Sequence, residues 1–150
     1  MIDEIRTRPI RLTDMPACVA LLADAGLPTV DVSMERLALV AELGEHVVGL
    51  IGLEQFESLG LLRSLVVDSH ARERGLGKRL VVELEALARE RGIVELWLLT
   101  IDADPYFESL GYVTQERSAA PEAITATEEF SSLCPGDAAL MNKPLQGTAD

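Results

Sequence analysis

Aromatic residues and basic residues are scarce in this sequence of 150 residues. Phe, Trp and Tyr make up 4% of the chain while hydrophobic residues make up 48%, so the core must consist mainly of Leu, Val, Ala and Ile. Lys and Arg number 13 against 25 Asp and Glu, which gives a formal net charge of -12. We expect no binding of nucleic acid over a broad surface, because phosphate contacts need a basic face.

Cysteines and long hydrophobic runs are also lacking. Two cysteines, Cys18 and Cys134, are too few to stabilise a domain of this size by disulfide bonds, which favours a reduced, soluble, cytoplasmic protein. No ligand spacing typical of a metal site occurs, so we expect no metal. No apolar run approaches the ~20 residues that span a bilayer, and no signal-like segment begins the chain, so we expect no membrane partner. The length suits one domain over residues 1–150.

Hydrophobic periodicity predicts an α/β (α+β) chain. The first predicted helix has Thr13 or Asp14 as its side-chain cap, the second runs from Gly75 to Arg91, and the third has Asp104 as its cap. Residues 118–137 are expected to be irregular, with one helical turn at most. The predicted strands are residues 5–12, the hairpin "LALVAEL" and "VVGLIGLEQF", then "GLLRSLVVD", "VELWLLTI", "YVTQER" and "AALMNK".

The stretch "ARERGLGKRL", residues 71–80, is a connection with two glycines between a predicted strand and a predicted helix. We call it the glycine corner. N–H groups at the start of a helix lack intrahelical partners, and Gly75 and Gly77 leave room for a ligand. Positive charge comes from Arg72, Arg74, Lys78 and Arg79. The corner therefore suits a phosphate or pyrophosphate, although neither a P-loop nor a dinucleotide fingerprint fits it. A capped surface helix with solvated arginines is the alternative.

Two motifs carry a resemblance to a known family. Arg-x-x-Gly-x-Gly after a Val-rich strand resembles the acetyl-CoA pyrophosphate loop of the GNAT family of N-acetyltransferases. The segment "DADPYFESLGY" is similar to the family's Ala-x-x-Phe-Tyr-Glu-x-Leu-Gly-Phe segment, through Ala103, Glu108, Leu110, Gly111 and Tyr112. The resemblance covers nearly the whole chain. It implies a mixed, mostly antiparallel sheet of six to seven strands, flanked by helices and splayed between the fourth and fifth strands.

A narrower resemblance concerns a bacterial subgroup associated with arsenic-resistance operons. It is carried by "LADAGLPT", "GLLRSLVVD", "LWLLT" and "TEEFSSLCPGDAALMNKPL". That subgroup is itself similar to the acetyltransferase domain of N-acetylglutamate synthases. The resemblance implies an acceptor that is a small amine, such as an amino acid or an amino-acid-like toxin. Because the subgroup is named from gene neighbourhood, it does not establish a substrate.

The resemblance implies acetyl-CoA as co-substrate. The strand residues Leu65, Val66 and Val67 would pair with the pantetheine arm. The pyrophosphate would be held by Arg72, Glu73, Arg74, Gly75, Leu76, Gly77 and Lys78. The family's tyrosine beside the thiol falls at Phe107, which would contact the cofactor but cannot donate a proton. Tyr106 is the remaining candidate acid, although neighbouring helix positions point about 100° apart; water or a backbone N–H is the alternative.

Three further groups are candidate site residues. Glu54 and, less favoured, Glu57 are candidate bases near the end of the third strand, where a solvated carboxylate is the alternative. Arg63 lies on the fourth predicted strand, two residues before the apolar cofactor-binding run, and suits a carboxylate or other oxyanion on the substrate, unless it is only a surface charge. The acceptor contacts predicted in the segment before the last strand are Thr127, Ser131 and Cys134. Local turn bonds are the alternative there.

Two rival functions stay open. The phenylalanine at position 107 favours a non-catalytic acetyl-CoA sensor, since the usual proton donor is missing. The acidic chain would attract basic peptides, which favours acetylation of proteins or peptides. The resemblance also allows a homodimer, because dimers are common in the family.

Overall fold

A computed structural model of the chain describes residues 5–27, 29, 33–69, 71, 75–100, 103–127, 130 and 138–145. Its strands are β1 (Ile5–Pro9), β2 (Leu37–Leu43), β3 (His46–Phe56), β4 (Leu59–Val67), β5 (Glu95–Thr100), β6 (Val113–Gln115) and β7 (Ala139–Pro144). Its α-helices are α1 (Met15–Asp24), α2 (Leu76–Glu90), α3 (Asp104–Ser109) and α4 (Glu122–Thr125). The seven strands form a sheet in the order β1-β2-β3-β4-β5-β7-β6. The predicted α/β class and mixed, mostly antiparallel sheet are confirmed.

Contacts divide the chain into two compact units. The first comprises Met1–Glu54 and Arg63–Leu87, and the second comprises Gln55–Leu62 and Ala88–Asp150. Strands β3 and β4 therefore each contribute residues to both units. The assignment of residues 1–150 to a single domain stays a prediction.

The first unit contains the β1–β2–β3 meander and helix α1. Strand β1 pairs with β2 from Ile5↔Leu43 to Pro9↔Leu39, and β2 returns as β3 after a short turn. One apolar cluster fills this unit: Cys18, Leu22, Leu37, Val40, Leu50 and Val66. Cys18 is buried in this cluster, and burial raises the pKa of its thiol to about 11. The thiol therefore stays protonated and packs as a small apolar group.

The start of α1 differs from the prediction of a side-chain cap. Asp14 occupies the cap position, but its carboxylate makes no cap hydrogen bond. It accepts instead from both terminal nitrogens of Arg8, at 2.8 and 2.9 Å, and from the backbone N–H of Arg11 at 2.7 Å. The bidentate ion pair ties the start of the helix to β1, which is the stronger interaction for a buried carboxylate.

The second unit is built on the β5–β7–β6 ladder. Strand β7 is antiparallel to β5 over the whole of β5, and β6 adds three residues at the other edge of β7. The core here consists of Leu61, Trp97, Ile124 and Leu140. The single helical turn expected in the irregular region is α4. Helix α3 has Ala103 at its cap position, so the prediction of Asp104 as the cap is wrong by one residue, and Asp104 is the first helical residue.

The fourth and fifth strands are parallel, and their ladder is short. It joins Leu59–Leu61 to Glu95–Trp97, and among the described residues no further pair follows. This agrees with the predicted splay between these two strands. In the described parts of the chain, no helix is both long enough and apolar enough to cross a membrane.

Candidate active site

The end of β4 carries the residues expected to bind the pantetheine arm, and all of them belong to the first unit. Val66 is buried in the apolar cluster, while Leu65 and Val67 are half-buried. After the strand, the N–H of Asp68 donates to the carbonyl of Val48 at 2.7 Å, which holds this end of β4 against β3. Because side chains alternate between the two faces of a strand, Val66 is held in the core while Leu65 and Val67 stay half-buried.

Helix α2 begins at the glycine corner. Among the residues of this corner that the structure describes, the first helical hydrogen bond runs from the N–H of Arg79 to the carbonyl of Gly75, at 3.1 Å. Three N–H groups, those of Leu76, Gly77 and Lys78, therefore precede the first intrahelical donor and point out of the helix start. Gly75 has φ +69°, and a Cβ atom there would meet nothing within 4 Å. The backbone conformation, rather than space, favours glycine at this position.

A second glycine lets α2 pack closely on the sheet. A Cβ atom at Gly49 would lie 3.3 Å from the carbonyl oxygen of Val66 and 3.3 and 3.4 Å from the side chains of Leu80 and Leu76. The first turn of the helix therefore lies against the strand end described above. The remaining residues of the predicted loop, Arg72, Glu73 and Arg74, lie outside the described residues.

Charged side chains form a cluster in the same unit. The Glu54 carboxylate accepts from Arg63 Nη1 at 2.9 Å through Oε1 and pairs with Arg36 Nε at 3.2 Å through Oε2. The exposed fractions of these side chains are 2% for Arg63, 13% for Glu54 and 34% for Arg36. We call these residues the Arg36–Glu54–Arg63 cluster. The alternative of Arg63 as a surface charge is therefore wrong.

Gly52 explains why Arg36 can join this cluster. A Cβ atom at Gly52 would lie 2.4 Å from the carbonyl oxygen of Arg36 and 3.1 Å from that of Arg63. The N–H of Leu53 also donates to the carbonyl of Arg36 at 3.0 Å. Sequence reasoning missed Arg36. A glycine within an apolar strand, which often marks a close backbone approach, was the available signal.

Strand β4 has an unusual residue beside the cluster. Ser64 has φ +61°, in the left-handed region that non-glycine residues rarely adopt. Its hydroxyl accepts from Arg63 Nε at 3.3 Å. Such conformations are held by surrounding structure and concentrate at functional positions. Nothing in the sequence signalled this one, because serine is not among the residues favoured there.

The cluster has a defined chemistry. Two guanidinium groups share one carboxylate, so the three side chains together carry one net positive charge in a chain whose net charge is -12. Planar guanidinium groups suit carboxylate and related oxyanions. The less favoured base, Glu57, is exposed, with φ +58° in the turn after β3, and does not contribute to the cluster in the described contacts.

The candidate proton donor lies in the second unit, on α3. Tyr106 is 39% exposed and Phe107 is 6% exposed, so the two neighbours do face different surroundings. The rings of Phe107 and Tyr112 meet edge to face, with centroids 5.7 Å apart. Partial burial raises the pKa of Tyr106, so its hydroxyl is protonated at neutral pH. The cofactor contact assigned to Phe107 stays a prediction.

The predicted acceptor contacts near the last strand are only partly within the described residues. The buried hydroxyl of Thr127 donates to the carbonyl of Ile124 at 2.7 Å and accepts from the N–H of Phe130 at 3.2 Å. These are the local turn bonds of the alternative reading, and a substrate contact of Thr127 stays a prediction. Ser131 and Cys134 lie outside the described residues. No group of three His, Cys, Asp or Glu side chains suited to a metal ion occurs in the described segments.

The chain is similar to known N-acetyltransferases in sequence and in structure. An uncharacterised N-acetyltransferase of Chlorobaculum tepidum is 31% identical over 86 residues, which is 57% of this chain and 55% of the relative. The chain thus spans about half the length of that relative. The structure of N-acetylglutamate synthase from Neisseria gonorrhoeae, complexed with coenzyme A and N-acetyl-glutamate, has a TM-score of 0.81 at 20% identity. It covers 98% of this chain and 36% of the synthase chain.

A complete small acetyltransferase has the same fold. The ribosomal-protein-S18-alanine N-acetyltransferase of Escherichia coli has a TM-score of 0.74 at 18% identity, covering 98% of this chain and 97% of that one. The family described as "Acetyltransferase (GNAT) family" matches residues 8–112. That match includes the end of β1, strands β2 to β5, the glycine corner and the Arg36–Glu54–Arg63 cluster. The chain therefore belongs to the acetyltransferase (GNAT) family.

Proposed function

We propose that the protein is an acetyl-CoA-dependent N-acetyltransferase that acts on a small amine bearing an acidic group. The observation that carries the proposal is the position of Arg63. Its side chain is 2% exposed and lies on β4, two residues before the first residue assigned to the pantetheine arm. An arginine this deeply buried is suited to recognise an oxyanion, because few water molecules compete for its donors.

The described residues fit acetyl-CoA. The amides of Leu76, Gly77 and Lys78 offer hydrogen bonds to a diphosphate at the start of a fifteen-residue helix, where the helix dipole favours negative charge. The strand end Leu65–Val67 presents two half-buried apolar side chains beside that helix. When bound, acetyl-CoA supplies a thioester carbonyl carbon as the acceptor of the amine.

Side chains of the protein accept and donate the protons of the reaction. Glu54 accepts a proton from the substrate ammonium, directly or through water, which gives a neutral amine. The amine nitrogen forms a bond to the acetyl carbon while the carbon–sulfur bond breaks, and the sulfur leaves with the electron pair. The nitrogen then loses its second proton and the sulfur gains one, from Tyr106 or from water, so one proton is released overall.

Relatives support a small acidic amine as acceptor. The synthase from Neisseria gonorrhoeae binds N-acetyl-glutamate, an acetylated amine with two carboxylates. The segments similar to the arsenic-resistance subgroup add amino-acid-like toxins as candidates. Both kinds of substrate carry an oxyanion that Arg63 could bind.

An amine panel tests the proposal. Each acid, including glutamate and phosphorus- or arsenic-containing amino acids, is paired with its neutral amide, and release of free CoA is measured. We expect the acids to be turned over more efficiently than their amides. Arg63→Lys should raise KM for the acids about 10-fold, through loss of a planar donor set. The exposed Arg91→Lys variant serves as control and should leave KM unchanged.

Two results would count against the proposal in different ways. Binding of acetyl-CoA without amine-dependent release of CoA would favour a sensor, as the buried phenylalanine at position 107 suggests. Turnover of peptides alone would favour protein acetylation, the activity named for the relative from Escherichia coli. The panel therefore includes lysine-containing and N-terminal alanine peptides.

A further inference from the structure

Two side chains near the start of α2 link this helix to strand β1. Arg79 Nη1 donates to the carbonyl of Ile5 at 2.8 Å, and Arg79 Nε donates to Glu83 Oε2 at 3.1 Å. The other carboxylate oxygen of Glu83 accepts from the hydroxyl of Thr7. Arg79 and Glu83 are one helical turn apart, so they share one face of α2. We call this arrangement the Thr7–Glu83–Arg79 link.

The surface of the sheet beneath α2 is a row of small residues. Thr7 pairs with Ala41 across β1 and β2, and Ala41 pairs with Gly49 across β2 and β3. Directly opposed residues of antiparallel strands share a face, so these three residues lie side by side. The side chains of Leu76 and Leu80 lie over the Gly49 end of the row. Apolar contact is non-directional, whereas hydrogen bonds are directional, so the Thr7–Glu83–Arg79 link determines where the helix lies on this surface.

The position of α2 matters because of the donors at its start. The N–H of Arg79 makes the first helical hydrogen bond described at the glycine corner, to the carbonyl of Gly75, and the N–H groups of Leu76, Gly77 and Lys78 precede it. A hydrogen bond from N–H to oxygen weakens outside about 2.7–3.2 Å, so a small displacement of the helix would misplace all three donors together. Arg79 connects the turn that carries these donors to β1, because its main chain closes the turn and its side chain binds the strand.

We propose that Arg79 is a positioning residue for the co-substrate. Through the Thr7–Glu83–Arg79 link, it holds the amides of the first turn of α2 where they meet the diphosphate of acetyl-CoA. This rests on the proposed function. Direct attraction of a phosphate by the guanidinium is the competing role, but two nitrogens of that guanidinium bind a carbonyl and a carboxylate of the protein. The edge strand β1 thereby contributes to the affinity for acetyl-CoA through the helix.

Thr7→Val separates the two roles, since it removes one hydroxyl at the far end of the link and changes no charge. Calorimetry measures the affinity for acetyl-CoA in Thr7→Val, Arg79→Met and the double variant. We expect Kd to rise about 3-fold in Thr7→Val and about 10-fold in Arg79→Met. The double variant should stay within about 2-fold of Arg79→Met, because the effects of residues in one network are not additive. Direct contact of the guanidinium with the diphosphate would leave Kd unchanged in Thr7→Val.

Arg89→Met is the matched control. Arg89 is also an exposed arginine of α2, and its Nε also donates to a main-chain carbonyl, that of Leu145 at 3.0 Å. The control therefore removes the same charge and a comparable hydrogen bond at the other end of the helix. Its Kd for acetyl-CoA should stay within about 2-fold of the unchanged protein, because an exposed charge far from the ligand is screened by salt.

The amide resonances at the start of α2 give a second measurement that needs no co-substrate. In proton–nitrogen correlation spectra of the protein without ligand, Thr7→Val should shift the amide signals of Leu76, Gly77 and Lys78. Arg89→Met should leave these signals in place. A link that only stabilises the fold would lower the free energy of unfolding in Thr7→Val and leave the same native signals unmoved.

The outcomes separate the two proposals. An unchanged Kd in Thr7→Val, a loss in the double variant equal to the product of the single losses, or unmoved amide signals overturns the positioning role, even if acidic amines are turned over as proposed. Conversely, the expected pattern in a protein that binds acetyl-CoA without turnover supports the positioning role, and then only the acetyltransferase proposal fails. Absence of acetyl-CoA binding to the unchanged protein overturns both. Circular dichroism spectra of the variants establish that each one is folded.

Discussion

Asp14 has a different role in the structure from the one that its position in the sequence predicts. Its position before a proline-containing helix predicted a cap, but its carboxylate forms a bidentate pair with Arg8 on β1. Hydrogen bonds from Arg8 lower the pKa of Asp14 below its ordinary value of 3.8, against the opposing effect of burial. A lowered pKa means that the ionised form is the one that stabilises the fold.

This pair predicts a pH dependence of stability. Because the folded pKa of Asp14 is depressed, its contribution is fully present above the unfolded value of about 3.8 and is lost as pH falls from there toward the folded pKa. The difference in free energy of unfolding between the unchanged protein and Asp14→Asn should be constant near neutral pH and should shrink below about pH 4. Urea unfolding at stepped pH measures it; a difference that grows on acidification would contradict the assignment.

At the scale of elements, α2 shows what the sequence predicts well. The repeat of leucines on one face predicted a helix from Gly75 to Arg91, and the structure has it at Leu76–Glu90. Both ends carry a glycine in the left-handed region, Gly75 with φ +69° and Gly92 with φ +82°, and both have open space around the missing Cβ. Both ends of the helix therefore favour glycine for the same conformational reason, although only Gly75 belongs to the glycine corner.

That symmetry provides a matched experiment on the glycine corner. Gly75→Ala and Gly92→Ala should each lower the free energy of unfolding by about 1 kcal/mol, since both place a Cβ in a left-handed conformation. Only Gly75→Ala should also weaken binding of acetyl-CoA, by about 10-fold, because a tenfold loss needs only ~1.4 kcal/mol of disturbed amide contacts. Calorimetry with acetyl-CoA measures the affinity. Equal affinity in both variants would contradict the assignment of the corner to the diphosphate.

What the sequence could not predict at this scale depends on long-range register. The leucine repeat of α2 is local, and so is the apolar run at the end of β4. The approach of Arg36 to Glu54 depends instead on how β2 pairs with β3, where Leu37 pairs with Gly52. The left-handed conformation of Ser64 likewise has no local cause. The motifs therefore predicted the helix and the strand end to which the cofactor is assigned, and single residues of the charged cluster, whereas the pairing of Arg36 with Glu54 required the three-dimensional structure.

At the scale of the whole molecule, charge opposes the proposed co-substrate. The chain has a formal net charge of -12, and acetyl-CoA is also an anion. Long-range repulsion between them should slow association at low ionic strength, since the Debye length is then ~30 Å. The basic residues of the glycine corner act only over short distances. The basic residues of the corner therefore attract acetyl-CoA at short range, whereas the net charge of the chain repels it at long range.

This predicts an unusual dependence on salt. The association rate constant of acetyl-CoA should rise about 2- to 5-fold between roughly 10 and 150 mM salt, where ordinary steering would make it fall. Stopped-flow measurements test this. S-acetylpantetheine, which lacks the phosphates, is the control, and its rate constant should not change with salt. A rate constant for acetyl-CoA that falls with salt would show that local basic groups dominate the encounter.

The contact at Gly52 has a consequence for how the acceptor preference of this protein can change. The space for a single methyl group is missing there, since a Cβ would lie 2.4 Å from the carbonyl oxygen of Arg36. Any larger residue must push that main chain outward, which would draw the guanidinium away from its carboxylate while every charged residue stays in the sequence. Preference among acceptors could thus drift through an apolar replacement that no comparison of polar positions would detect.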